Sequence, residues 1–448
     1  MTDSRMFFFK LTNEVLNYLH FLAVKFLVFL RLFFPWLGEK RLAFEKLNES
    51  DPYAASFAQS NVTADFSFEV SSQGEFQQIL ELMKLFLQQG KKIELIYASE
   101  SLENDISKFK QLYSVDQLRC LRLPIIQRSL FKDRQQLTKW VTANRFGFVR
   151  YDFYPHLLSL CFKKNLEMYL FWGSLKNKMN SKFSRWFWGN LANCFQVIFA
   201  ANKKNQNQFQ ELNQQVSVYS SEMRTLSIEF RLQSRDETFT QKAIKEFVQS
   251  LNRESRRKVI FGSAYPEDLQ IILTPSFIEK LKAGNDLIIL APHSLAKENI
   301  HRFKTELEKS DLSFCVFDSD TEMRSAMSSE SSWDATSIIL FTGKGVLCEL
   351  YSVCDVAYIG GGFEKSIHSV LEPFWSGCQV VCGPKTHRST EFDFCQELNP
   401  EHIRHFSDRH EISSQLVNMD TYKNDFHNRD TSFQTIIEQE RRNIGNLL

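Results

Sequence analysis

Hydrophobic and polar positions divide the chain into an apolar start and two long stretches in which short apolar runs alternate with amphipathic ones. Over residues 6–37 Phe and Leu dominate, broken by Lys10, Glu14, Lys25 and Arg31. A membrane-crossing helix needs about 20 predominantly apolar residues, and the runs between these charges are shorter. The pattern predicts a helix lying in a membrane interface, with Phe and Leu in lipid and Lys and Arg snorkelling to the headgroups. No small-residue cleavage site follows; Pro35, Trp36 and a charged segment come instead, which disfavours a cleaved signal peptide.

After a polar link over residues 45–61, strands are predicted at 66–70 and 93–98, with a helix between them that stops at Gly90 and another near 103–112. Strand signals follow at 119–123 and 146–151, and long aromatic helices are predicted over 164–199. The chain then turns rich in Asn and Gln to residue 215 and stays polar to residue 257. A second set of strands is predicted at 259–261, 287–290, 314–317, 338–341, 356–359 and 379–381, alternating with helical patterns. Such alternation predicts an α/β protein with a doubly wound parallel sheet in each half. The expected division is a membrane-associating segment (1–44), a first Rossmann-like domain (45–215), a connection (216–257) and a second Rossmann-like domain with C-terminal helices (258–448). Two such domains facing a cleft suit a transferase that holds a nucleotide on one side and an acceptor on the other.

Composition narrows the partners. With 448 residues, 43% hydrophobic and 24% charged, the chain can bury two cores. A net charge of +1 and a single short basic patch at 253–258 argue against nucleic acid. The 9 cysteines have neither CxxC nor zinc spacing, so they read as free thiols in a reducing compartment, and no metal is expected.

The candidate chemistry concentrates in YIGGGFEKSIHSVLEPFWSGCQVVCGP, residues 358–384. An apolar strand stops on Gly360, Gly361 and Gly362, where backbone can approach a ligand closely. A helix expected to begin near His368 would aim its free N–H groups at the same spot, suiting a phosphate or carboxylate. Ser366, His368 and Ser369 lie near that start, and Glu372 sits one turn on, able to accept from sugar hydroxyls. Three glycines also make an ordinary tight turn. No GxGxxG is present; Gly343 and Gly345 form an isolated GxG, read as a turn, and Asp318 to Asp320 form a DxD, read as an acidic strand-end loop. Glu75, after Gly74 at a helix start, is a candidate base for a hydroxyl acceptor, a position that capping chemistry also favours.

Four blocks together resemble the Kdo (3-deoxy-D-manno-octulosonic acid) transferases of lipopolysaccharide synthesis, a membrane-associated family with the GT-B glycosyltransferase fold. SSQGEFQQI (71–79) resembles the family's Ser-x-Gly-Glu block, VRYDFYPHL (149–157) its acidic-aromatic block, FGSAYPED (261–268) its Gly-Ser block, and YIGGGFEKSIHSVLEP its donor loop and helix. The resemblance implies Glu75 as general base, with Ser72 and Gly74 beside it on the acceptor side, and Asp152 as a second carboxylate there. It places Gly262, Ser263, Pro292, His293, Gly360 to Phe363, His368, Ser369 and Glu372 around the donor. It implies an inverting, metal-independent transfer of Kdo or a related sugar acid from a CMP donor to a lipid A precursor or similar glycolipid, at the cytoplasmic face of a bacterial inner membrane. The chain departs from the pattern. The LAPHS loop has no Arg, Ser369 replaces Asn, Cys348 replaces Gly, and Trp172, Gly173 and Ser174 stand for Asn-Ala-Arg. Alternatives are a UDP-sugar transferase acting on a lipid carrier and a silent paralogue serving as a membrane-associated binding module.

Overall fold

The computed structural model describes residues 3–55, 57, 62–126, 137–150, 153–175, 181–212, 216–222, 224–233, 242–317, 336–419 and 431–445. The alternation of short apolar runs and amphipathic stretches resolves into two all-parallel, seven-stranded sheets. In the first, β1 (Phe66–Val70) has β2 (Ile93–Tyr97) and β3 (Leu118–Arg122) on one side. On its other side lie β4 (Arg145–Val149), β5 (Glu167–Gly173), β6 (Phe195–Ala200) and β7 (Ser217–Ser220), in the order β3-β2-β1-β4-β5-β6-β7. In the second, β8 (Arg257–Ala264) is flanked by β9 (Asp286–Pro292), β10 (Phe314–Phe317) and β11 (Ile338–Phe341), and by β12 (Val356–Ile359), β13 (Gln379–Cys382) and β14 (Ile403–His405). The order is β10-β11-β9-β8-β12-β13-β14. Strand order reverses between β1 and β4 and between β8 and β12, and in open parallel sheets such reversals leave a crevice at the carboxyl ends.

The strands carry continuous apolar runs because helices cover both faces of each sheet. β1 and β2 are buried along their whole length. Phenylalanine does much of the filling: Phe66 stacks on Phe68 at 4.5 Å between ring centroids, and Phe171 on Phe199 at 5.3 Å. The one carboxylate in β2 is tied off rather than exposed. Glu94 accepts from Ser67 Oγ at 2.6 Å and from Thr142 Oγ1 at 2.7 Å, anchoring β1 and the segment before β4 to β2.

The compact units differ from the expected division. One comprises Met1–Arg224 with Glu440–Leu448, the other Thr225–Gln439. The first 44 residues belong to the first unit, and the boundary falls inside the expected 216–257 connection, which itself carries regular structure. It supplies edge strand β7 to the first sheet, and the helix Lys242–Arg253 buries Phe247, Val248 and Leu251 in the second core. The long aromatic helices expected over 164–199 are instead β5, the helix Lys182–Ala192 and β6. The runs EMYLFWG and FQVIFA are buried strands, and at that length an aromatic run carries no period to separate strand from helix.

The apolar start forms one helix, Asp3–Leu30, of which Met6–Leu30 is long and apolar enough to cross a membrane. Its polar side faces the protein. Asn13 and Asn17 donate to Ser159 Oγ at 3.0 and 3.2 Å, and Phe9 is fully buried against Phe187. Its other side leaves Phe7, Phe8, Leu11, Leu19, Phe26 and Phe29 exposed, an apolar face of the kind that marks a lipid or protein contact.

The chain's last turns return to the first unit through Glu440, which accepts from Ser221 Oγ at 2.5 Å and from the Glu222 N–H at 2.9 Å. Burial pushes its carboxyl up to about 7. The folded value lies above the unfolded one of about 4.3, so folding takes up a proton between them. The resulting stabilisation is complete below the unfolded value and is lost as pH rises through about 7. Thermal melts between pH 5 and 8 are expected to show a fall in Tm across this window that Glu440→Gln removes.

Candidate active site

In the first unit, β1 ends at Val70 and the chain turns through Ser71 into the helix Gln73–Gln88, capped by Ser72. Ser72 Oγ accepts from the Glu75 N–H at 3.4 Å, and Glu75 Oε2 accepts from the Ser71 N–H at 2.6 Å. This is the reciprocal exchange of a capping box, reaching one residue further back. Glu75 is 2% exposed, and Ser71 Oγ also donates to Glu69 Oε1 at 2.9 Å, so two buried carboxylates flank Ser71. They stand at the carboxyl end of β1, beside the strand-order reversal. A Cβ at Gly74 would meet nothing within 4 Å, so packing does not demand glycine there. Asp152 lies outside the described residues.

Two further residues at this sheet edge take left-handed backbone conformations, Arg150 (φ 69°) after β4 and Trp172 (φ 52°) in β5. The Arg150 guanidinium lies 4.3 Å from the Trp172 ring, and Trp172 Nε1 donates to buried Glu222 at 3.0 Å. Non-glycine residues held this way cluster at binding sites. The Trp172 segment, which stands where the resemblance expects Asn-Ala-Arg, thus carries a hydrogen-bonded polar group.

In the second unit, the ends of β8 and β12 meet at the other reversal. A bulge between Gly262 and Ala264 leaves Ser263 left-handed (φ 50°), and the His293 N–H donates to the Ala264 carbonyl at 2.9 Å. The three glycines after β12 answer to this crowding. A Cβ on Gly360 would strike the Ser263 carbonyl, and Gly361 (φ 89°) would carry one into the Ser366 carbonyl. Backbone packing therefore requires them whether or not a ligand is present. Phe363 lies under the Arg409 guanidinium, 4.3 Å from its ring centroid.

The helix expected near His368 begins later and is one turn long, Leu371–Trp375. Its first N–H groups do not point at a ligand. Glu391 Oε2 accepts from the Val370 N–H at 3.2 Å, the Leu371 N–H at 3.4 Å and Ser369 Oγ at 2.9 Å. Ser369 is thus turned to Glu391, and the anion-binding role expected of this helix start is taken by an internal carboxylate. Glu372 sits near Arg231. Burial would lower the Arg231 pKa, but Cys348, Glu349 and Glu372 hold it above the usual guanidinium value.

His368 enters a ring stack. It lies 4.1 Å from His293 between centroids, and Tyr265 lies 5.2 Å from His293 and hydrogen-bonds His368 Nε2 at 3.1 Å. Burial, then the neighbouring His293, lower His368 to about 4, and burial lowers His293 too, so both imidazoles are neutral at pH 7. Beside the stack opens a cavity of about 760 Å³ lined by Ser263, Pro292, His293 and Ser294, and by the Gly343–Gly345 turn. It gathers three of the donor-side residues expected from sequence, at the carboxyl ends of β8, β9 and β11.

Sequence reasoning missed Tyr265 and Glu391, and it read the Gly343–Gly345 segment as a turn without assigning it to the donor side. Glu391 lies 22 residues from Ser369 and carries no local pattern. The turn carried a signal, glycines astride a lysine directly after a strand. Among the described residues no group of three His, Cys, Asp or Glu gathers that could hold a metal; the DxD at 318–320 lies outside them.

Residues 40–222 match the family model described as 3-deoxy-D-manno-octulosonic-acid transferase (kdotransferase). A curated protein of that name from Chlamydia muridarum is 27% identical over 135 residues, 30% of this chain and 28% of the relative. Another, from Rickettsia typhi, is 29% identical over 147 residues, 32% of this chain and 28% of the relative. The match thus spans less than a third of these relatives' length. Among solved structures, the UDP-GlcNAc 2-epimerase of Methanocaldococcus jannaschii has a TM-score of 0.53 at 9% identity, covering 84% of this chain and 99% of that one. At that identity the likeness concerns the fold alone, two doubly wound domains of the GT-B type.

Proposed function

We propose, from the membership of this chain in the Kdo-transferase family through residues 40–222, that it is an inverting glycosyltransferase. It moves Kdo or a related sugar acid from a CMP-activated donor to a lipid A precursor or similar membrane glycolipid. The observation that carries this reading is the family match over the unit that holds Glu75. Glu75 is the general base: its buried carboxylate, oriented by the Ser71 N–H, takes the proton of the acceptor hydroxyl as that oxygen attacks the anomeric carbon and the CMP phosphate departs. Asp152 is a second acceptor-side carboxylate, with Ser72 and Gly74 shaping the approach.

Donor binding falls to the second unit. Ser263, Pro292 and His293 line the cavity there, His368 stacks on His293, and Gly262, the Gly360–Phe363 loop and Glu372 are assigned to the donor by the family resemblance, while Ser369 contributes through Glu391. Two neutral imidazoles leave room for a donor sugar acid without fixing a charge of their own. The exposed apolar face of the helix Asp3–Leu30 supports attachment to the cytoplasmic face of the inner membrane, where a glycolipid acceptor is presented.

The donor half is tested by calorimetry. CMP is expected to bind and UDP to bind at least tenfold more weakly; the reverse preference would replace the sugar-acid donor with a UDP-sugar. Transfer is also expected to be unchanged by EDTA, since a single donor phosphate asks for less charge neutralisation than a diphosphate. Loss of activity restored by Mg²⁺ or Mn²⁺ would overturn the metal-independent reading.

A further inference from the structure

The second unit's cavity has walls of hydroxyls, backbone, apolar side chains and an imidazole held neutral, and one charged residue among those lining it, Lys344. An anionic donor carrying both a phosphate and a carboxylate meets no other fixed charge on these walls, and the LAPHS loop offers no Arg. Lys344 is exposed and makes no hydrogen bond or ion pair among the described residues. The carboxylate best placed by sequence to neutralise it, Glu349, is already engaged. Arg231 donates to both of its oxygens, at 3.0 and 2.7 Å.

The same arginine fixes the turn that carries the lysine. Arg231 Nη2 donates to the Gly345 carbonyl at 3.2 Å, and Gly345 adopts φ 78°, which a side chain would strain. At the turn's other end Thr342 is tied to the Phe317 carbonyl by its N–H at 2.9 Å and its hydroxyl at 2.8 Å. The backbone under Lys344 is therefore anchored on both sides, while its ammonium is left for a ligand. Anchoring of this kind reduces the ordering cost of binding.

We propose that Lys344 is the donor-binding cation of this protein, pairing with the phosphate of the nucleotide and standing in for the arginine that the LAPHS loop lacks. The inference rests on the reading of this cavity as the donor site. A lysine on a short turn acts as a mobile point charge rather than a bidentate fork, so it favours a phosphate without dictating its orientation.

The test compares Lys344→Ala, Lys344→Arg and the unaltered full-length protein by calorimetry with cytidine, CMP, uridine, UMP and UDP. The expected result is that Lys344→Ala weakens CMP binding by roughly tenfold or more, leaves cytidine unchanged, and flattens the salt dependence of CMP binding. Lys344→Arg is expected to restore most of the loss. Equal weakening of cytidine and CMP, or no weakening of either, would overturn the proposal. Should the unaltered protein prefer UDP to CMP, the sugar-acid donor reading fails while the Lys344 comparison is read on UDP against uridine. Should it bind none of these nucleotides, both fail. An unchanged melting temperature in Lys344→Ala is the expected control, because the side chain is exposed and unbonded.

Discussion

Glu75→Gln lowers the rate of sugar transfer by roughly a hundred- to ten-thousand-fold, the usual range for removing a general base, with little change in stability. Glutamine keeps the carbonyl oxygen that accepts from the Ser71 N–H and so preserves the turn between β1 and the helix Gln73–Gln88. It cannot take a proton. Glu75→Ala removes the base and the hydrogen bond together, so it should lose transfer to the same extent and also about 1 kcal/mol of stability, the value of a helix cap. Single-turnover rates and thermal melts of the two variants separate these contributions. If Glu75→Gln transfers sugar at the normal rate while Glu75→Ala is merely less stable, Glu75 is a cap and nothing more.

Asp286→Ala destabilises the second unit by about 3–5 kcal/mol, the cost of stranding a buried charge. Arg257 at the start of β8 and Asp286 at the start of β9 are 2% and 1% exposed in their side chains. Arg257 Nε donates to Asp286 Oδ1 at 2.9 Å, and a second guanidinium nitrogen donates to Oδ2 and, at 2.8 Å, to the Leu416 carbonyl. Without Asp286 the guanidinium stays buried with its carboxylate partner gone. Lys280 lies 3.8 Å from the same carboxylate and would lose this ion pair while keeping its bond to the Val417 carbonyl at 2.5 Å. Denaturant unfolding of the variant should show a lower midpoint, with CMP binding lost in parallel because β8 and β9 carry the cavity. An unfolding free energy within about 1 kcal/mol of the unaltered protein's would mean that the pair is replaceable by water, as exposed pairs are.

The second sheet was legible in sequence because its strands are short apolar runs bounded by glycine, proline or polar residues. Runs 314–317, 338–341 and 356–359 coincide with β10, β11 and β12. β5 and β6 were not legible. They flank the Phe- and Trp-rich helix Lys182–Ala192, so one aromatic composition covers two strands and a helix and does not tell them apart. β14 was missed for the opposite reason: it has three residues, of which two are exposed.

The site divides along similar lines. Glu75 could be placed from local pattern, a carboxylate after glycine at a helix start, and Ser263 and His293 only through the family resemblance. What each side chain touches could not. Ser369 reads as a donor contact until Glu391, far along the chain, claims it together with the helix N–H groups. Gly360 and Gly361 read as room for a ligand until the Ser263 and Ser366 carbonyls fill that room. Lys344 reads as part of an idle turn until Arg231 removes Glu349 as its partner. In each case the deciding contact is long-range, and a local pattern holds no record of it.

The most direct measurement is a mass spectrum of lipid products after the purified full-length protein is incubated with CMP-Kdo and an acylated lipid A precursor in detergent or vesicles. The account predicts a product heavier by Kdo, formed in the presence of EDTA and absent with Glu75→Gln. An unmodified acceptor in a preparation that binds CMP and melts cooperatively would contradict it and leave the chain a membrane-associated binding module.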